Sequence, residues 1–74
     1  MAGRDSQSAR RILARNLRRL RLERGWSQDD LAAEARTRQA LVSAIEIGEA
    51  NPTLASLEKL AATLEVTLAE LFRN

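Results

Sequence analysis

The sequence predicts an all-α fold, a compact bundle of five short helices, and three observations predict it. Along most of the chain, apolar residues recur at spacings of three and four, the period of one helical face. Ser27, Thr53 and Thr67 each stand just before such a stretch, and acidic Asp30 and Glu70 follow three residues after Ser27 and Thr67. No segment reads as a strand, and no repeat or low-complexity stretch breaks the pattern.

Residues 1–7 are expected to form a flexible tail and residues 8–74 a single domain. Helix one is expected from Ser8 to Arg24, with Ala9, Leu13, Leu17 and Leu20 on its buried face and Arg11, Arg15, Arg18 and Arg19 opposite. Gly25 ends it, because glycine takes the left-handed cap conformation cheaply. Ser27 then caps helix two, with Asp30 as the partner of a capping box and Trp26 and Leu31 at the two positions of a hydrophobic staple. Leu31, Ala32 and Ala35 form its inner face, and Trp26 reads as a core residue. Helix three is expected from Arg38 to Ile47, with Val42 and Ile45 inward and Gly48 as its stop. The Asn51–Pro52 pair keeps the chain extended before Thr53 caps helix four, whose buried stripe is Leu57, Leu60, Ala61 and Leu64. Thr67 and Glu70 form another capping box, stapled by Val66 and Leu71, and open a last helix that ends near Phe72.

Helices two and three are separated by a very short break, so they must cross steeply. The second of the pair can then project from a small domain, and a helix of that size fits the major groove of DNA. Composition supports such a partner. Net charge is only +2, but residues 1–24 carry a balance of +6 and residues 25–74 a balance of −4. One basic end on a nearly neutral body suits a polyanion held on one side. Cysteine and histidine are both absent, which removes disulfides, thiolate metal sites, the commonest metal ligand and the commonest general base. No metal, cofactor or enzymatic activity is therefore expected. Asp29, Asp30 and Glu34 read as helix-start charges. No apolar run approaches the ~18 residues of a membrane span, and the N-terminus lacks an apolar signal region. The expected location is the cytoplasm, at the nucleoid, with no membrane partner. At 74 residues the core stabilises the chain by only ~3–5 kcal/mol, so a second subunit would help.

The run SQDDLA opening helix two, IEIG closing helix three, NPTLASL and TLAELF follow one another at distances that resemble the helix-turn-helix family of phage repressors and Cro-like proteins. The resemblance covers residues 10–72 and looks closest to small stand-alone members, including the controller proteins of restriction–modification systems. It implies a lambda-repressor-like DNA-binding domain that binds an inverted-repeat operator as a homodimer. It makes helix three the recognition helix. The face opposite Val42 and Ile45 carries Ala40, Ser43, Ala44 and Ile47, with Gln39 on its flank. Gln39 suits the N6 and N7 edge of adenine, Ala40 and Ala44 suit thymine methyls, Ser43 can donate or accept, and Arg38 suits guanine or phosphate. Gln28 matches the family's phosphate anchor. Arg18, Ser27, Arg36 and Thr37 are the further phosphate contacts expected. Arg21 and Glu46 match a structural ion pair of the family.

This chain departs from the family pattern at several points. Arg36, Thr37 and Arg38 stand where glycine, an apolar residue and a capping serine are usual, so the cap of helix three either shifts to Thr37 or is lost. Glu49 and Ala50 replace basic residues, Ile47 replaces a polar one, and Glu65 replaces a helix-ending glycine. Leu68, Leu71 and Phe72 crowd apolar area into the C-terminus and are the expected dimer contacts. The resulting expectation is a sequence-specific transcriptional regulator, whether repressor or activator, with double-stranded DNA, a second copy of itself and RNA polymerase as partners. No small-molecule ligand is expected, because no residues remain for a separate effector domain. The alternative is a protein-interaction module of the same fold that has lost DNA binding.

Overall fold

The computed structural model describes residues 6–74. Five helices follow in order: α1 (Ser6–Glu23), α2 (Gln28–Ala35), α3 (Gln39–Glu46), α4 (Leu54–Thr63) and α5 (Leu68–Leu71). The described residues contain no strand. Helix α1 begins two residues earlier than expected, at Ser6, because no glycine or proline intervenes before Gly25. The other residues of the expected tail, 1–5, lie outside the described residues.

The helix starts are built as the capping residues imply. The Ser27 hydroxyl accepts from the Asp30 N–H at 3.0 Å, and the Asp30 carboxylate accepts from the Ser27 N–H at 2.8 Å. Thr67 and Glu70 repeat the arrangement at 3.2 Å in each direction, and Thr53 accepts from the Ser56 N–H at 3.0 Å. Each such cap contributes about 1 kcal/mol. The start of α3 is different. Its N-cap is Arg38, in extended backbone, with no side-chain cap, so of the two alternatives the cap is lost. In the turn before it, Arg36 adopts the left-handed conformation at φ 57°, and Glu65 does the same at φ 59° after α4. Both stand where glycine would be cheaper.

One core joins the helices: Leu13 and Leu17 from α1, Leu31, Ala32 and Ala35 from α2, Val42 and Ile45 from α3, Leu57, Leu60 and Ala61 from α4, with Leu64 and Leu71. Trp26, Leu20, Leu68 and Val66 pack half-buried against it. Helix α1 lies against α3 and α5, while α2 lies against α3 and α4. Two expectations need correction. Ala9 is exposed, because it lines an open groove with Pro52, Leu57 and Phe72 and does not enter the closed core. Leu71 is wholly buried within the single chain, so it closes the monomer core and is unavailable to a second subunit.

Two ties went unread in the sequence. Asn16 is buried, and its amide donates to the carbonyls of Leu71 at 2.9 Å and Arg73 at 2.8 Å, with a longer contact to that of Glu70. It thus satisfies carbonyls that α5 leaves open at its end. Arg24 donates to the Leu64 carbonyl at 3.0 Å, lies 5.3 Å from the Trp26 ring centre and reaches the Glu65 carboxylate at 3.6 Å. It binds the end of α1 to the end of α4.

Candidate nucleic-acid interface

With Val42 and Ile45 committed to the core, α3 turns the opposite side outward. Gln39 and Ala40 are exposed there, and Ser43 and Ala44 are half-buried. Arg36 and Arg38 are exposed at the N-terminal end of this helix, and Thr37 between them is half-buried. Arg18 is exposed on α1, close enough for its charge to act on Glu46. Ser27 is exposed, with its oxygen engaged by the Asp30 N–H.

Behind this face lies an ion pair. Arg21 donates to both carboxylate oxygens of Glu46, from Nε at 2.7 Å and from Nη2 at 2.9 Å, and its Nη1 donates to the Trp26 carbonyl at 2.8 Å. The two side chains are only 9% and 2% exposed. Burial alone would push the Glu46 carboxyl up. Hydrogen bonds from Arg21 and Gln28, and the charges of Arg21 and Arg18, outweigh it and hold the group below its ordinary value. Arg21 is held above its own ordinary value, first by its hydrogen bonds to Glu46.

The pair extends outward through two amides. Gln28 Nε2 donates to Glu46 Oε1 at 3.1 Å, and Gln39 Nε2 donates to Gln28 Oε1 at 2.8 Å. The polarity of this chain follows from its inner end. A carboxylate only accepts, so Gln28 must turn its NH₂ toward Glu46 and its oxygen toward Gln39. Gln39 must then offer its NH₂ in turn. That spends one of the two N–H groups of the exposed Gln39 and leaves the other, with Oε1, outside this line. One donor and one acceptor side by side are what the N7 and N6 edge of adenine requires. The second N–H of Gln28 takes no part in this line.

The site residues separate into groups. The structure brings Arg21, Glu46, Gln28 and Gln39 into one hydrogen-bonded line. It places Arg38, Ala40, Ser43 and Ala44 along α3 beside it. The residues expected at a dimer contact do not act alike: Leu68 is half-buried, Leu71 is sequestered, and Phe72 is 37% exposed. Among the described residues no group of His, Cys, Asp or Glu is arranged to hold a metal, and no helix is long and apolar enough to cross a membrane.

The helix-turn-helix family HTH_3 matches residues 17–71. A hypothetical transcription factor from Neisseria meningitidis is 40% identical over 67 residues, covering 90% of this chain and 63% of its own length. The crystal structure of a hypothetical transcription factor from Neisseria superposes with a TM-score of 0.86 at 39% identity, over 93% of this chain and 79% of that one. The control protein C.MunI from a Mycoplasma species is 42% identical over 59 residues, 78% of this chain and 80% of its own. The restriction–modification controller protein C.AhdI from Aeromonas hydrophila superposes with a TM-score of 0.81 at 33% identity, over 85% of this chain and 96% of that one. The chain spans less than two thirds of the Neisseria meningitidis relative's length. By name these relatives are a hypothetical transcription factor, a control protein and a restriction–modification controller protein, and none is named as an enzyme. With its α2–α3 pair, its exposed α3 face and a match over residues 17–71, the chain belongs to the helix-turn-helix family of transcriptional regulators.

Proposed function

We propose that this protein is a sequence-specific DNA-binding regulator that reads an inverted-repeat operator as a homodimer. The observation that carries the reading is the oriented line Arg21–Glu46–Gln28–Gln39, which presents a preset donor and acceptor on the exposed face of α3. Preset polar groups discriminate bases because a mismatch leaves them unpaired, while Arg18, Arg36 and Arg38 supply affinity for any sequence. Similarity to C.MunI and C.AhdI supports a controller protein as the subtype. RNA polymerase is the further partner such a regulator would meet.

The proposed dimer contact is narrowed to Phe72 and Leu68. Phe72 lines an apolar groove with Leu57, Pro52 and Ala9, and a partner's C-terminus could cover it. A two-fold dimer would set two copies of α3 roughly 34–36 Å apart, one turn of DNA.

Selection of bound sites from random duplexes tests the reading, followed by titration of the selected site and of random DNA. The expected site is a short inverted repeat. Gln39→Ala should cost about 1–3 kcal/mol at one base position and leave random-DNA affinity unchanged. Phe72→Glu should sediment as a monomer and bind the full site weakly. Equal losses on selected and random DNA would remove Gln39 from the reading role, and an unaltered dimer would remove Phe72 from the interface.

A further inference from the structure

We propose that Ile47 is a base-reading residue, packing on the 5-methyl group of a thymine at the far end of the recognition face from Gln39. The inference rests on the DNA-binding reading above. Ile47 caps the end of α3 and is 64% exposed, although isoleucine is among the residue types most often buried. Among the described residues the other exposed large apolar side chains are Leu22, Leu54 and Phe72, and none of them adjoins α3 as its C-cap Ile47 does. Ile47 stands seven residues after Ala40 and four after Ser43, so it continues their line on the same side of the helix. That line starts with small side chains, which let the helix approach closely, and ends in one large apolar one.

The surroundings decide what Ile47 would touch. It shares a surface depression with Arg11 and Ala14 of α1 and with Glu46, Gly48 and Glu49. A protein partner that used Ile47 as an anchor would need apolar surface around it, and the side chains beside it are mostly polar or small. Glu49 repels a phosphate, which makes an uncharged base edge the better occupant. Arg11 lines the same depression from the α1 side, while Arg36 and Arg38 stand at the opposite end of α3. In the major groove the one apolar group among the base edges is the thymine methyl. Eight residues of helix span about 12 Å, or roughly three to four base steps, so this thymine lies that far from the adenine read by Gln39.

The test replaces each thymine of the selected operator, one at a time, by deoxyuridine, which lacks only the methyl group. Wild-type protein, Ile47→Ala and Ile47→Val are titrated against every duplex. One thymine per half-site, three to four pairs from the Gln39-dependent position, should weaken wild-type binding about fourfold, the effect of exposing one buried methyl-sized group. Ile47→Ala should lose a similar factor on the thymine duplex and lose nothing more with deoxyuridine, while Ile47→Val should keep most of the preference. The side chain is exposed, so each variant should keep the wild-type melting temperature. The proposal is overturned if wild-type and Ile47→Ala respond alike to every replacement. It is overturned equally if Ile47→Ala dissociates the dimer and leaves base preference intact. Selection that yields no preferred sequence would refute the DNA-binding reading itself and this inference with it, an outcome distinct from specific binding that ignores Ile47.

Discussion

Breaking the Arg21–Glu46 pair from one side and from both sides separates its structural role from its role in recognition. Glu46→Leu strands a guanidinium that is 9% exposed and cannot give up its proton, at a cost of about 3–5 kcal/mol. The core of a 74-residue chain stabilises it by only about 3–5 kcal/mol, so this variant should stand near unfolding. Arg21→Met is less severe, because the stranded carboxyl can take up a proton. At pH 7 that escape limits the penalty of the stranded charge itself to about 4 kcal/mol, and the limit falls by ~1.4 kcal/mol for each pH unit below 7. Arg21→Met combined with Glu46→Leu removes both charges and fills similar volume, so its stability should return to within about 1–2 kcal/mol of the wild type. Urea denaturation followed by circular dichroism measures all four proteins. Recovery should not extend to recognition, since Gln28 no longer has a carboxylate to orient it and Gln39 loses its fixed polarity. A double variant no more stable than Glu46→Leu would refute the stranded-charge argument. A double variant with undiminished preference at the Gln39 base would refute the relay. In the wild type, Glu46 is held below its ordinary value. The pair's stabilisation is therefore complete above the glutamate range near ~4.3 and disappears as pH falls through the lower folded value.

Two further perturbations test the ties and the turn. Asn16→Ala should cost about 1–3 kcal/mol by leaving the Leu71 carbonyl without its donor, and Asn16→Asp should cost more at neutral pH because it sets a carboxylate against carbonyls. Hydrogen exchange should then report fraying confined at first to α5, and an unchanged exchange pattern would deny Asn16 its capping role. Arg36→Gly should raise stability by about 1 kcal/mol by relieving the left-handed backbone at φ 57°, while weakening binding to all DNA alike and flattening the salt slope by about one. A rise in the melting temperature without a change in salt slope would show that Arg36 makes no phosphate contact.

Much of the architecture was determined by the sequence alone. Caps at Ser27, Thr53 and Thr67 act through bonds spanning three residues, and the Leu57–Leu60–Ala61–Leu64 stripe follows from helical period, so neither needed knowledge of a neighbour. The outward side of α3 was legible for the same reason, since assigning Val42 and Ile45 inward leaves Gln39 and Ala40 exposed and Ser43 at the half-buried edge. What remained hidden joins residues far apart in the chain. Asn16 continues the Leu13-to-Leu20 line at spacings of three and four and could have been placed on the buried edge. Its partners, though, are backbone carbonyls 55 and 57 residues away, which carry no side-chain signal. Leu68, Leu71 and Phe72 were indistinguishable by type, and only the packing of α5 against α1 and α4 buried one of them completely. The relay from Arg21 to Gln39 needed three helices in place, because a carboxylate can set the direction of two amides only when tertiary contact aligns all of them.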